Sequence, residues 1–351
     1  MKLVAAAALF VVASAAQLIG ADSSASHYEL KPIPLPGATG PVGLDYFAYD
    51  AATGKLWVPA SNLGSVDLID GKTDAVSQVT GFKTSEIERR GQKRIIGPTS
   101  ATIGDGVAYV GNRGDATVCV IDAKTSERGE CVAFSSDQPI MPDGVQYVAA
   151  TKEVWATTRA VTASGMEAAK SLQIFDASDP KHLKWKAALP LENLGEGYAV
   201  DNDRGLFYTN VEEIGQTLAI DVRTKKIVSK WNPGSTQVGG VALDPRRGFL
   251  LIACGDRVVN LDAAHGGKFL DSIQTGEGLD NIDYSTDRKQ LYAAAALAAT
   301  LTIAEVGDDG KFHLKATVPS VRGARSVVIT GGETAYLIDP VGGRMLKLTS
   351  K

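Results

Sequence analysis

The stretch Thr117-Val118-Cys119-Val120-Ile121-Asp122 alternates small and apolar residues before a terminal aspartate, and its pattern returns roughly every 40 to 50 residues. The other copies also end in an acidic residue and are followed by a polar turn. They are Asp67-Leu68-Ile69-Asp70, Gln173-Ile174-Phe175-Asp176, Ala219-Ile220-Asp221, Asn260-Leu261-Asp262 and, more weakly, Thr302-Ile303-Ala304-Glu305. A fixed period of this length, made of short strands, predicts a β-propeller with one four-stranded blade per repeat.

Alternation and turn signals divide the repeats into blades of four strands. Six complete blades are expected at Gly43 to Thr80, about Thr99 to Phe134, Asp143 to Leu189, about Glu196 to Trp231, Gly239 to Gln274 and Asp280 to Val318. The first turn of several blades has the form Asp201-Asn202-Asp203-Arg204-Gly205, in which the aspartate caps backbone N–H groups and the glycine closes the turn. The repetition of these aspartates indicates a structural role in turns rather than a catalytic one.

The seventh repeat has three strands, which begin near Arg325, Thr334 and Met345. The segment from Tyr28 to Leu35 is a candidate for the missing fourth strand. Its two prolines are compatible with an outermost strand, because such a strand needs only one row of hydrogen bonds. The sequence therefore predicts an all-β, seven-bladed propeller whose last blade is closed by an N-terminal strand. The alternative is a six-bladed ring with a frayed tail.

The first residues predict export. Met1-Lys2 is a short basic start, residues 3–16 are almost entirely apolar, and small residues suitable for cleavage follow at Ala13-Ser14-Ala15 or Ile19-Gly20-Ala21. We therefore expect a signal peptide at 1–21 and a single mature domain at 22–351, located in the periplasm or outside the cell. The alternative, an uncleaved anchor, is disfavoured because the apolar run is short for a membrane span. No membrane span is expected after cleavage.

The sequence contains three cysteines. Cys119 and Cys131 flank a turn nearly symmetrically and belong to adjacent antiparallel strands, so we predict a disulfide between them, which an exported protein can keep. The alternative is two buried free thiols. Cys254 lies in an apolar run and is expected to be a small core residue.

Composition limits the classes of ligand. The formal net charge of the 351 residues is −4. A broad basic field is therefore absent, and nucleic-acid binding is not expected. We expect a monomer that binds a protein or a small molecule.

Two blades carry a recognisable family pattern. Ala108-Tyr109-Val110-Gly111-Asn112 precedes the stretch quoted first, and Leu206-Phe207-Tyr208-Thr209-Asn210 precedes Thr217-Leu218-Ala219-Ile220-Asp221. These blades resemble the YVTN-type repeats of YncE-like β-propellers, over about residues 38 to 351. The resemblance implies the fold and no particular activity. Blade six departs from it, since 291–299 has lost the aromatic-Val and Gly/Asn pattern.

Functional residues are expected at one mouth of the central channel, where propellers usually bind ligands. Aligning the repeats places one residue of each blade at this entrance: Val42, Thr99, Asp143, Glu196, Gly239, Asp280 and Arg325. The ends of the second strands add Asn62, Asn112, Arg113, Arg159 and Asn210. The predicted ligand site consists of Asp143, Glu196, Asp280 and Arg325, supported by Arg113, Arg159 and Asn281.

This site permits several functions. The leading hypothesis is an exported, non-catalytic propeller that binds a ligand or partner at the channel mouth. The alternative is a metal-dependent hydrolase or lactonase-like enzyme in which Asp143, Glu196 and Asp280 hold Ca²⁺, the cation that carboxylate oxygens suit. The arginines suit a carboxylate or phosphate, and a water-filled funnel with ion pairs between blades is the structural alternative. No cofactor is expected with the leading hypothesis.

Three further features bear on this choice. None of the four histidines, at 27, 182, 265 and 313, is predicted at the channel mouth, which disfavours chemistry with a histidine base. The segment from Lys83 to Ile96 and that from Ala160 to Lys170 are longer than their counterparts, and both are expected to border the funnel. The second of them contains a helix-prone stretch, Gly-Met-Glu-Ala-Ala-Lys, at 165–170.

Overall fold

A computed structural model describes residues 27–89, 91–137, 139–162 and 165–351. In this part of the chain, the strands form seven four-stranded antiparallel sheets and one two-stranded hairpin. The prediction of an all-β, seven-bladed propeller is thereby confirmed. The expected signal peptide lies outside the described residues.

Blades one to three are formed by consecutive strands, each paired with the next. Their strands are β2 (Ala48–Asp50), β3 (Lys55–Ala60), β4 (Ser65–Asp70) and β5 (Val76–Val79); β8 (Pro98–Gly104), β9 (Val107–Asn112), β10 (Thr117–Asp122) and β11 (Arg128–Ala133); β12 (Ile140–Val148), β13 (Glu153–Thr162), β14 (Gly165–Asp176) and β15 (Lys184–Pro190).

Blades four to six repeat the same order, from the inner strand at the channel to the outer strand. Their strands are β16 (Gly195–Asp201), β17 (Leu206–Val211), β18 (Gln216–Asp221) and β19 (Lys226–Trp231); β20 (Val238–Asp244), β21 (Phe249–Cys254), β22 (Arg257–Asp262) and β23 (Lys268–Gln274); β24 (Leu279–Ser285), β25 (Gln290–Ala295), β26 (Thr300–Val306) and β27 (Phe312–Pro319). Two short 3-10 helices lie in connections, at Ser61–Leu63 and Ala263–His265.

Blade seven joins the two ends of the described chain. It contains β28 (Val327–Gly331), β29 (Thr334–Asp339), β30 (Arg344–Ser350) and, as its outer strand, β1 (Tyr28–Pro34). The register of β1 with β30 runs from Tyr28 opposite Ser350 to Pro34 opposite Arg344. The N-terminal strand therefore closes the ring as predicted, and its prolines lie on an outermost strand where one row of hydrogen bonds suffices.

The core lies between neighbouring blades. Trp57 of blade one is buried against Ala108 and Val110 of blade two. Trp155 of blade three stacks on Phe207 of blade four, with ring centroids 4.8 Å apart. Each blade therefore buries its apolar surface only when its neighbour is present, as in other repeat architectures.

The recurring aspartates are turn residues, as expected. Oδ1 of Asp122 accepts hydrogen bonds from the backbone N–H groups of Lys124 at 2.9 Å and Thr125 at 2.7 Å. Asp70 and Asp221 make the same pair of bonds at the corresponding turns.

Three local expectations need correction or refinement. Blade one was expected to begin at Gly43, but its inner strand β2 comprises Ala48–Asp50, because Tyr46 N–H donates to the carbonyl of Thr99 in β8 and does not pair with β3. The helix-prone residues 165–170 belong to β14, where pairing with β13 overrides local propensity. The segment from Lys83 to Ile96 forms a hairpin of β6 (Ser85–Arg89) and β7 (Gln92–Ile96).

The two long insertions contact each other, through β6 and β14. Among the residues that the structure describes, no helix has the length and apolar character needed to cross a membrane.

The predicted disulfide between Cys119 and Cys131 is present, and the two residues face each other across β10 and β11. Cys254 is a buried free thiol. We predict that the denatured, unreduced protein reacts with one equivalent of a thiol reagent, and that the denatured protein reacts with three after reduction. Three reactive thiols without reduction would contradict the disulfide.

Ring closure predicts a specific dependence of stability on β1. Ile33 is buried in the core between blades seven and one, so Ile33→Ala is expected to lower the free energy of unfolding by about 2–5 kcal/mol. Glu29→Ala replaces an exposed residue of the same strand and is expected to change the free energy of unfolding by less than about 0.5 kcal/mol. Urea unfolding measures both. Equal stability of the two variants would show that β1 is not part of the closed core.

Candidate binding site at the channel mouth

One mouth of the channel opens into a cavity of about 870 Å³. We call it the channel-mouth cavity. Its charged lining consists of eight carboxylates and three guanidinium groups: Asp45, Asp143, Glu196, Glu212, Glu213, Asp256, Glu277 and Asp280, with Arg113, Arg159 and Arg325. All predicted ligand-site residues except Asn281 therefore meet in one place.

Bulges in the inner strands place several of these side chains. The antiparallel register shifts at the channel end of five inner strands, at residues 98–100 in β8, 142–145 in β12, 196–198 in β16, 238–241 in β20 and 279–282 in β24. Asp143 and Asp280 lie inside such bulges, and Glu196 lies at the edge of one. A bulge bends a strand and turns a side chain away from its usual direction, which brings these carboxylates into the cavity.

Four carboxylates and three guanidinium groups alternate around the cavity, and we call this series the charge arc. Its order is Asp280, Arg325, Asp45, Arg113, Asp143, Arg159 and Glu196. Nε of Arg325 is 3.3 Å from Oδ2 of Asp280, and its Nη2 is 3.2 Å from Oδ1 of Asp45. The arc therefore links blades six, seven and one through ion pairs.

The second half of the charge arc continues from blade one through blade four. Nη2 of Arg113 lies 3.7 Å from Oδ2 of Asp45 and also pairs with Asp143. Nε of Arg159 is 2.8 Å from Oδ2 of Asp143, and its Nη2 is 3.2 Å from Oε2 of Glu196. Arg113 also donates to the carbonyl of Pro142 at 3.0 Å, which fixes its position.

Asp143 is the most buried member of the charge arc, with 3% of its side chain exposed. Burial alone would raise its pKa, but the attraction of Arg113 and Arg159 outweighs burial, and the pKa lies below its usual value. Asp143 is therefore an ionised carboxylate held between two guanidinium groups. Such a buried charge requires its partners, because an unpaired one is strongly destabilising.

The two ends of the charge arc behave differently. Glu196 and Asp280 each contact one guanidinium group rather than two. Burial, together with nearby carboxylates, raises the pKa of Glu196 well above its usual value and that of Asp280 to about 6. These ends therefore carry protons more readily than the centre, and a cation placed beside them would favour their ionised form.

Two tyrosines lie behind Glu196, at the inner side of the charge arc. The hydroxyl of Tyr46 donates to Oε1 of Glu196, and the Tyr46 ring stacks on Tyr198 with centroids 5.3 Å apart. A smaller pocket of about 250 Å³ lies beside this pair, lined by residues of all seven blades, Tyr46, Tyr198 and Asn281 among them. Asn281 was expected at the channel mouth, but it lines this smaller pocket and not the channel-mouth cavity. Its amide donates to Oγ of Ser326 at 3.2 Å.

The asparagines of the predicted second ring hold loops together. Nδ2 of Asn112 donates to the carbonyl of Lys83 at 3.1 Å, and Nδ2 of Asn210 donates to the carbonyl of Gly239 at 2.5 Å. Oδ1 of Asn62 accepts the backbone N–H of Gly43 at 2.8 Å. The Asn210 bond joins blades four and five, whereas Asn112 holds the insertion before blade two and Asn62 bonds within blade one.

The structure does not gather Asp143, Glu196 and Asp280 around a common point. Each of them faces a guanidinium group instead. Within the described residues, no group of three or more His, Cys, Asp or Glu side chains is arranged to hold a metal ion. The calcium hypothesis therefore finds no ligand set in this geometry. The anion hypothesis is weakened as well, since the three arginines of the cavity already face carboxylates.

Sequence alignment missed or undervalued some residues of the cavity. Val42 was expected at the mouth but is buried, and Asp45 takes that place, because residues 43–47 do not follow a regular strand. Glu277 and Leu297 had no repeated pattern that could identify them. The histidines at 182, 265 and 313 do not line the cavity.

No family model matches the chain, and no curated protein matches it. Solved structures match its fold over nearly the whole length. A chain of hydrazine synthase from Kuenenia stuttgartiensis shares 14% identity, with a TM-score of 0.69, over 90% of this chain and 99% of that one. A chain of the mitotic checkpoint complex shares 11%, with a TM-score of 0.70, over 91% and 94%. The WD40 repeats of RRP9 share 9%, with a TM-score of 0.66, over 93% and 98%. At these identities, the chain is similar to WD40-type propellers in fold alone.

Proposed function

We propose that this protein is an exported, non-catalytic β-propeller that binds a positively charged group of a ligand or partner in the channel-mouth cavity. One observation supports the proposal above the others. Carboxylates outnumber guanidinium groups eight to three in the lining of the cavity, and all three guanidinium groups are already paired within the charge arc.

Four carboxylates of the cavity lie outside the charge arc: Glu212, Glu213, Asp256 and Glu277. Glu213 accepts a hydrogen bond from Asn193 at 3.1 Å, and Asp256 lies 3.6 Å from Arg257. The side chains of Glu212 and Glu277 have no hydrogen bond or ion pair with any described residue. Burial raises the pKa of Glu212, opposed by Arg159 and reinforced by Asp143 and Glu213. A cationic ligand would relieve this repulsion.

The charge arc supports binding because it presents a fixed framework. Its side chains are held by ion pairs from several blades, so little rotamer freedom is lost when a ligand enters. Carboxylates placed in advance at the mouth also attract cations from solution and increase the rate of association.

Export is supported by two separate features. The sequence of residues 1–21 has the pattern of a signal peptide. The disulfide between Cys119 and Cys131 is of the kind that persists in oxidising compartments.

The proposal predicts charge-selective binding. We expect fluorescein-labelled hexalysine to bind at low ionic strength, and hexaglutamate not to bind, as measured by fluorescence anisotropy. The double variant Glu212→Gln/Glu277→Gln should weaken hexalysine about tenfold, if each partly exposed ion pair contributes about 0.7 kcal/mol. A double variant that binds as well as the wild type would exclude this cavity as the site.

A matched control separates the cavity from the overall charge of the protein. Glu127 is exposed in the turn between β10 and β11, outside the cavity. Glu127→Gln removes one negative charge from the molecule and is expected to leave hexalysine affinity within about twofold of the wild type. The comparison is with the single variant Glu212→Gln, which removes one negative charge from the cavity. Equal losses of hexalysine affinity in the two single variants would indicate a non-specific electrostatic effect.

The proposal also predicts a pH dependence. The pKa of Asp280 is raised to about 6, first by burial and then by neighbouring carboxylates, against the attraction of Arg325. Its carboxyl group is therefore mostly neutral at pH 5 and mostly ionised at pH 7.

Hexalysine should accordingly bind more tightly as the pH rises from 5 to 7, by about threefold through Asp280 alone. Asp280→Asn should reduce this gain while leaving weak binding at pH 5. An unchanged pH profile in Asp280→Asn would show that Asp280 does not face the bound cation.

A further inference from the structure

We infer that the ligand of the channel-mouth cavity is a peptide segment in which a lysine or arginine stands next to an apolar residue. This inference rests on the proposed function and extends it to a ligand class. It is based on Leu297, which lines the cavity with 54% of the residue exposed.

Leu297 lies in the loop that connects β25 to β26 of blade six. This loop reads Ala296-Leu297-Ala298-Ala299, whereas the equivalent loops of blades two and four carry charged residues, such as Arg113 and Glu212. The loss of the repeat pattern in blade six thus places an apolar side chain at a mouth lined mainly by polar and charged residues. Leu297 is the one exposed large apolar side chain of the described residues that lines the cavity, where an apolar group of a ligand would bury its surface.

The loop that carries Leu297 is fixed in place. The backbone N–H groups of Leu297 and Ala298 both donate to the carbonyl of Glu277 at 3.1 Å, and that of Ala296 donates to Gly278 at 3.0 Å. A Cβ atom on Gly278 would lie 2.7 Å from the backbone nitrogen of Leu297. The glycine therefore permits close approach of the two segments, and Leu297 is held directly beside Glu277.

Three carboxylates outside the charge arc share one sector of the mouth with Leu297. Glu212 belongs to blade four, Asp256 to blade five, Glu277 to the connection from blade five to six, and Leu297 to blade six. Blade five contributes no side chain to the charge arc, because Gly239 and Gly240 occupy its inner position. The sector around blade five therefore presents three separate carboxylates and the exposed apolar side chain of Leu297.

A peptide ligand with alternating cationic and apolar side chains matches this sector better than a ligand with a single amine. Carboxylates on three successive segments can each meet a different cation, which requires a ligand with several spaced groups. A cavity of about 870 Å³ is also in the upper part of the range of about 300–1,000 Å³ that holds a whole ligand rather than one side chain. Charge complementarity therefore selects a basic peptide, and Leu297 selects one with an apolar neighbour.

The test compares two acetylated, amidated hexapeptides of equal charge, one alternating Lys and Leu and the other alternating Lys and Ser. Wild-type protein should bind the Lys-Leu peptide about tenfold more tightly by fluorescence anisotropy. Leu297→Ser should abolish this preference by weakening the binding of the Lys-Leu peptide about tenfold. If Leu297→Ser retains the full preference, the inference is wrong.

A control variant on the same blade tests for general loss of apolar surface. Leu314 on the outer strand β27 is also 54% exposed, and Leu314→Ser is expected to keep the tenfold preference. A loss of preference in Leu314→Ser equal to that in Leu297→Ser would count against a site at the mouth.

The outcomes distinguish this inference from the proposed function. If wild-type protein binds both peptides equally and both lose affinity in Glu212→Gln/Glu277→Gln, the cation site stands and the apolar preference is wrong. If neither peptide binds, the proposed function itself fails. Competition by n-hexylamine as effective as that of the Lys-Leu peptide would replace the peptide with a small amphiphilic amine as the ligand.

Discussion

The structure depends on the antiparallel pairing of β1 with β30. This pairing gives blade seven its fourth strand and brings residues from the two ends of the chain into one sheet. Closure sets the distance between blade seven and blade one, since Ile33, Val42 and Tyr336 share one core cluster. Arg325 and Asp45 belong to these two blades, and their ion pair exists only in the closed ring. The link between Arg325 and Asp45 in the candidate site is therefore a consequence of ring closure.

The burial of Asp143 is the reason why we propose a cationic ligand for the cavity. A carboxylate with so little exposed surface must be paired, and Arg113 and Arg159 are its partners. These guanidinium groups are then no longer free to receive an anion. Glu196 and Asp280, at the ends of the charge arc, each have one guanidinium partner and not two. The four cavity carboxylates outside the arc pair with none of its three arginines. The charged groups of the cavity that remain without a full set of partners are therefore carboxylates, although three arginines also line it.

Much of this architecture follows from the sequence, because repeats and turn residues report local geometry. The period predicted seven blades, the prolines at 32 and 34 fitted an outermost strand, and the spacing of Cys119 and Cys131 fitted a disulfide. Alignment of the repeats also found the six charged residues of the predicted site that line the cavity. Ion pairs between blades were foreseen as the structural alternative, but the individual partners were not predictable, since these pairs join residues far apart in sequence. The bulge at Asp280 and Asn281 likewise decides which side chain enters the cavity, and a strand pattern does not reveal such a bulge.

The charge arc is interrupted at blade five, in the sector where we propose that a ligand binds. A Cβ atom on Gly239 would lie 2.8 Å from the carbonyl oxygen of Asp280, so the backbones of blades five and six approach too closely for a side chain there. Without a side chain, blade five cannot supply the group that would join Glu196 to Asp280 and complete a ring of ion pairs. The two ends of the arc are therefore left with raised pKa values on either side of the gap. Asp256, Glu277 and Leu297 line the cavity beside that same gap, so the binding face that we propose lies in the irregular sector of the propeller.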